Sequence, residues 1–241
     1  MYRFSIAHNI LPLYASCTQQ ITLFTRCVKS ALAALIFSCW MGTAMASTQT
    51  SSSSPFTLMV YGDSLVAGYG LPPHQSFPSQ LEQYLRTAGL QADVVNAGVS
   101  GDTTQGGRNR LAWTLAEKPD GLILVLGGND MLRGLDPQAA YDNLDAMLEV
   151  LTSQQIPVLL CGMLASANLG AEYQQAFDSI YPRLAAKYEV SYYPFFLEGV
   201  ALNPTFNQPD GIHPNAAGVA HIIENMSPYL NSFIPQITQA E

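Results

Sequence analysis

The sequence predicts an α/β domain in which a five-stranded, mostly parallel sheet is covered by helices on both faces, and three observations carry that prediction. Short apolar runs of strand length alternate with longer amphipathic runs from Thr57 onward. Parallel neighbours need crossovers, which helices supply. The strand candidates are apolar throughout rather than alternating, as expected where both faces are buried. Caps and breakers such as Ser76, Gly89, Pro119 and Asp136-Pro137 mark the ends of several runs.

Thr57 to Tyr61 reads as the first strand, and Phe77 to Thr87 as a helix capped by Ser76 and closed by Gly89. Asp93 to Asn96 is the second strand, followed by a helix from Thr104 to Ala116 that ends before Pro119. Gly121 to Leu126 is the third strand. Asp136 and Pro137 supply a cap and a first-position proline for a helix running to about Thr152. Pro157 to Cys161 is the fourth strand, Ala171 to Lys187 a helix, Val190 to Tyr193 the fifth strand, and Asn215 to about Leu230 the last helix. No internal repeat is present.

The chain has 241 residues, and the first 46 have the order of a secretory signal. Arg26 and Lys29 precede an apolar run from Ala31 to Phe37, and Ala44-Met45-Ala46 offers small residues for cleavage after Ala46. The run is much shorter than the roughly 20 apolar residues that cross a bilayer, so cleavage is favoured over an anchor. The stretch before Arg26 is long for a signal, so translation starting nearer the basic residues is an alternative. Lipidation at Cys39 is a lesser one. Residues 47–55 are a Ser-rich tether with little apolar surface to pack, and 56–241 form a single domain. The expected location is the periplasm or the medium, with no membrane span after cleavage.

The whole chain carries a formal charge of −8. Cleavage would take Arg3, Arg26 and Lys29 with it and no acidic residue, leaving a still more acidic body. That argues against nucleic acid or an anionic membrane as partner. Cys17, Cys27 and Cys39 would also depart, and the remaining Cys161 lies in an apolar run, as a buried core residue does. One thiol allows neither an internal disulfide nor a cysteine-based metal site.

Ligands of open α/β sheets bind outside the carboxyl ends of the strands. Gly62-Asp63-Ser64 follows the first strand, the loop Ala97 to Asp102 the second, and Gly127-Gly128-Asn129-Asp130 the third. The long loop after the fifth holds Asp210-Gly211-Ile212-His213. This set suits acyl transfer. A serine hydroxyl needs a base to take its proton, neutral histidine is the usual one, and a carboxylate beside it fixes the tautomer. Ser64 is the candidate nucleophile, His213 the base and Asp210 its orienting acid. The Ser64 and Gly101 amides and the Asn129 side chain are candidate oxyanion donors. Singly, each has a plainer reading: Ser64 and Asp210 as turn residues, Asn129 as a cap, His213 as a packed or solvated histidine. His74 has no acid nearby and His221 falls inside the last helix. Metalloprotease, paired-cysteine and phosphate-loop patterns are missing.

The blocks GDSL with Ser64, NAGVSGDTT with Gly101, GGND with Asn129 and DGIHP with Asp210 and His213 together resemble the SGNH (GDSL) hydrolase superfamily. The resemblance spans Gly62 to Pro214 and is strongest to the periplasmic thioesterase I, lysophospholipase L1 and arylesterase group. It implies a three-layer, flavodoxin-like fold and hydrolysis of acyl esters and thioesters with no cofactor and no metal. It also implies the roles named above for Ser64, His213, Asp210, Gly101 and Asn129. The partner it implies is a small acyl substrate, and a monomer is expected. Ala167-Asn168-Leu169-Gly170 departs from the group's usual run after the fourth strand, which leaves the acyl-length preference open. Met131 and Leu132 could wall the acyl chain or pack into the core. A carbohydrate O-acetylesterase is the alternative enzyme, and a binding module without chemistry the non-enzymatic one. With a neutral histidine as base, activity should rise through roughly pH 6 to 8, where an imidazole loses its proton.

Overall fold

A computed structural model of the chain describes residues 54–239. The expected signal and most of the tether lie outside the described residues. Five strands, β1 (Phe56–Gly62), β2 (Ala92–Gly98), β3 (Gly121–Val125), β4 (Val158–Cys161) and β5 (Ser191–Tyr193), form one sheet in the order β2-β1-β3-β4-β5. Every pairing is parallel, with Gly62 of β1 beside both Gly98 and Val125. The strand order turns back at β1, between β2 and β3, so their carboxyl ends open a crevice there.

The helices are α1 (Ser64–Ala67), α2 (Phe77–Thr87), α3 (Thr104–Thr114), α4 (Gly128–Leu132), α5 (Pro137–Ser153), α6 (Ala171–Asp178), α7 (Ile180–Tyr188) and α8 (Ala216–Thr238). Central strands β1, β3 and β4 are buried along almost their whole length, whereas the edge strands β2 and β5 are only half-buried. Cys161 is fully buried and burial pushes its thiol well above the usual range, so it is a core residue.

Three expectations need correction. The run Ala171 to Lys187 is two helices, α6 and α7, meeting at Ser179. Pro182 cannot donate to the Asp178 carbonyl and its ring crowds it, and the chain breaks here. The break leaves Asp178 at the end of α6, where its carboxylate accepts the Ala165 amide at 2.7 Å and holds the loop after β4. Second, α8 runs to Thr238 rather than Leu230, through Pro228 and Pro235. Burial of Phe233, Ile234 and Ile237 outweighs the two lost donors, and a side chain at Gly121 would occupy the space of Ile237. Third, α1 and α4 are too short for a periodic pattern to reveal, yet they carry Ser64 and Asn129.

Thr103, Asp136 and Asn215 cap α3, α5 and α8 through their side chains. Ser76 occupies the cap position of α2 but points its hydroxyl to the Pro73 carbonyl at 2.9 Å instead.

Candidate active site

β1 delivers Asp63 and Ser64 directly into α1. The Asp63 carboxylate accepts the Leu65 amide at 3.0 Å, capping the helix from within the motif. The amide of Ser64, at the first helical position, has no intrahelical acceptor and so is available to a ligand. Gly101, in the loop after β2, has φ +86°, a conformation that side-chain-bearing residues rarely adopt. Arg110 ties this loop to β1. Its Nε meets Asp102 at 2.6 Å, its Nη2 donates to the Gly62 carbonyl at 2.8 Å, and its guanidinium lies 4.0 Å over the Tyr61 ring. After β3, Gly127 turns the chain at φ +113° into α4, which points Asn129 back toward the first two loops.

Asp210 and His213 come from the loop before α8. Asp210 Oδ1 accepts the amides of Ile212 (2.9 Å) and His213 (3.0 Å), and its Oδ2 meets His213 Nδ1 at 2.6 Å. The His213 backbone and side-chain bonds and the Ile212 amide hold the Asp210 carboxyl down to about 2, so it stays ionised across the working range. The opposite ring nitrogen, His213 Nε2, lies 2.9 Å from Ser64 Oγ. Tyr69 covers the imidazole with ring centroids 4.5 Å apart. Gln208 fastens the two loops: its Nε2 donates to the carbonyls of Tyr69 (2.7 Å) and Pro214 (3.0 Å), and its backbone amide to His213 (2.8 Å).

All five residues singled out in the sequence thus lie in the segments just past the carboxyl edge of the sheet, and Ser64, His213 and Asp210 form one hydrogen-bonded chain. His74 is exposed in a short 3₁₀ turn, and His221 stacks on Phe206 inside α8. The Asn129 amide is already engaged, donating to the Asp102 carbonyl at 2.9 Å and to Asp63 Oδ2 at 3.2 Å.

That places a second acid in the site which sequence reasoning passed over, although it stands inside the first block. Asp63 is 1% exposed, and burial is the main reason its carboxyl rises to about 6; the Leu65 and Asn129 bonds and His213 oppose the rise, and Asp102 adds to it. A carboxyl whose folded pKa is raised binds its proton more tightly when folded, so its contribution to stability falls as pH rises from 3.8 to about 6. At neutral pH the cost is about 3 kcal/mol. Asp63→Asn should therefore cancel that loss: denaturant unfolding at pH 4 and 7 should show the variant gaining on the wild type by roughly this amount at the higher pH. Parallel curves for the two proteins would contradict it.

Beside Ser64 and His213 opens a cavity of about 410 Å³, walled by Met131, Leu132, Met163, Leu164, Phe195 and Ile212 among others. Met131 also packs against the core, while Leu132 is 55% exposed, so the Met131-Leu132 pair serves both readings left open by the sequence. The wall after β4 is built from Met163 to Ser166; Asn168, in the 3₁₀ turn that follows, is not among the lining residues. The loop after β4 singled out by the resemblance does line the cavity, through its first residues rather than through Ala167 to Gly170.

Residues 60–221 match the GDSL-like lipase/acylhydrolase family. Esterase TesA of Pseudomonas aeruginosa is 39% identical over 186 residues, covering 77% of this chain and 92% of that protein. Thioesterase 1/protease 1/lysophospholipase L1 of Escherichia coli strain K12 is 38% identical, covering 74% and 85%. The crystal structure of AlinE4, an SGNH-hydrolase family esterase, superposes with a TM-score of 0.64 at 47% identity, covering 75% of this chain and 97% of that one. With that match across most of the domain, and a serine, a histidine and an acid meeting where the strands end, the chain belongs to the GDSL-like lipase/acylhydrolase family.

Proposed function

We propose that this chain is an exported serine hydrolase that cleaves carboxylic esters and thioesters through an acyl-enzyme on Ser64. The observation that carries the reading is the bonded sequence Asp210, His213, Ser64 at the mouth of an apolar cavity. His213 Nε2 takes the hydroxyl proton as Ser64 Oγ attacks the acyl carbon. Asp210 holds Nδ1–H and steadies the imidazolium. The carbonyl oxygen becomes an oxyanion facing the Ser64 and Gly101 amides and the Asn129 side chain. Because the Asn129 bond to Asp63 is the longer of its two, that proton is the one the oxyanion shares. Collapse breaks the bond to the alcohol or thiol, which leaves with the proton from His213. Water then attacks the acyl carbon by the same route and restores Ser64.

An apolar cavity of this size favours an acyl chain of several carbons over acetyl. Purified protein should hydrolyse aryl esters with kcat/KM rising from acetyl to medium chain length, and acyl thioesters likewise, with acetylated sugars poor substrates. Activity confined to acetylated sugars would replace this reading with the O-acetylesterase one. Protein recovered from the cell envelope or the medium should begin at Ser47; a retained N-terminal segment would contradict export by cleavage. Among the described residues no helix is long and apolar enough to cross a membrane.

A further inference from the structure

One buried acid in the site takes no step in the mechanism above. Asp63 is 1% exposed and borders the cavity beside Ser64. Its two oxygens serve different partners: Oδ1 accepts the Leu65 amide at 3.0 Å, and Oδ2 accepts the Asn129 side-chain amide at 3.2 Å. A carboxylate accepts at both ends, whereas an asparagine of the same size would present a donor at one of them.

Asn129 depends on its neighbours for which end of its amide faces the substrate. Half a turn about its last side-chain bond exchanges nitrogen for oxygen, and only the nitrogen can stabilise an oxyanion. The Asp102 carbonyl at 2.9 Å and Asp63 Oδ2 are both acceptors, so together they hold the nitrogen toward the site. The proton on Asp63 is the one the oxyanion shares, and it is aimed before substrate arrives. The charge of Asp63 changes the step little. Oxyanion and imidazolium form together, and the carboxylate repels the first while attracting His213, which acts on it electrostatically.

We propose that Asp63 is a positioning residue for the oxyanion hole, acting through the Asn129 amide. The inference rests on the acyl-enzyme reading above and adds to it a dependence on the protonation of a second acid. Burial is the main reason the Asp63 carboxyl rises to about 6. Below that pH the oxygen facing Asn129 can carry a hydrogen where an acceptor is needed, and the amide loses its alignment. Other groups act on Asp63 from three sides. Asp102 is paired with Arg110 of α3 at 2.6 Å, and His213 stands on the loop before α8. Tyr181 of α7 stays neutral, its buried hydroxyl donating to the Leu126 carbonyl at 2.9 Å.

The test is a double-mutant cycle on one aryl ester at about pH 8, where Asp63 and His213 have both lost their protons. Wild type, Asp63→Asn, Asn129→Ala and the double variant are compared in kcat and KM. Asp63→Asn should lower kcat about tenfold at nearly constant KM, the scale of one hydrogen bond to a charged group. In the Asn129→Ala background the same substitution should change kcat by less than about twofold, because the amide it positions is gone. An equal loss in both backgrounds would mean that Asp63 acts through the Leu65 cap and Ser64, and would overturn the proposal. So would a rise in KM at constant kcat. If Asp63→Asn does not fold, wild type and Asn129→Ala decide alone. From about pH 7 to about pH 5 the kcat of wild type should fall up to about tenfold further than that of Asn129→Ala, which keeps only the dependence on His213. Parallel profiles would overturn the proposal. Wild-type protein inactive on every ester would instead remove the hydrolase reading itself.

Discussion

Ser64→Ala should reduce turnover of a short aryl ester by a factor on the order of 10⁶, the scale seen when a serine hydrolase loses its nucleophile. The hydroxyl makes one side-chain bond, to His213 Nε2, and sits half-exposed at the first turn of α1, where alanine is well tolerated. The fold should therefore survive within about 0.5 kcal/mol, the range for substitutions that create no cavity and strand no buried polar group. Initial rates and thermal melting on the same preparation separate the two effects. A variant that keeps more than about one hundredth of the rate would rule out Ser64 as nucleophile, since oxyanion stabilisation and binding alone leave far less.

Asn129→Ala has the next largest expected effect, a loss on the order of 10² to 10³ in kcat with KM nearly unchanged, because the amide acts where charge develops rather than where substrate binds. Unlike Ser64, this side chain also carries structure. Removing it frees the Asp102 carbonyl and leaves the buried Asp63 carboxylate with the Leu65 amide as its remaining partner. A stability loss of about 1 to 3 kcal/mol should accompany the kinetic one. Steady-state kinetics across a substrate series, with denaturant unfolding alongside, would show both. A rise in KM at constant kcat would mean that Asn129 binds ground-state substrate and is not an oxyanion donor.

Much of this site could be read from the chain because the sheet is doubly covered. Apolar runs at Thr57, Gly121 and Pro157 mark the central strands, and the rule that ligands sit where strands end points to the segments after them. Ser64, Gly101, Asn129, Asp210 and His213 could be named because their residue types have few plain uses in combination. What stayed hidden is set by tertiary contact. The packing of Tyr69 against His213 and the Gln208 bonds that fasten those loops join residues far apart in the chain, and neither residue type announces such a role. Asp63 could be seen but not weighed, because its burial under Asn129 is what changes its chemistry. The break at Ser179 has a local cause in Pro182 that the single-helix reading overlooked, whereas the continuation of α8 past two prolines is decided by packing that local propensity does not contain.

The central claim is that Ser64 is an activated nucleophile served by His213. An alkyl fluorophosphonate tests it without reference to any natural substrate, since an activated serine oxygen displaces fluoride at phosphorus and keeps the phosphonyl group. Peptide mass spectrometry of the labelled protein should find one adduct, on the peptide containing Ser64. Labelling should be lost in Ser64→Ala and strongly slowed in His213→Ala. An adduct on a different residue, or undiminished labelling of Ser64→Ala, would contradict the account.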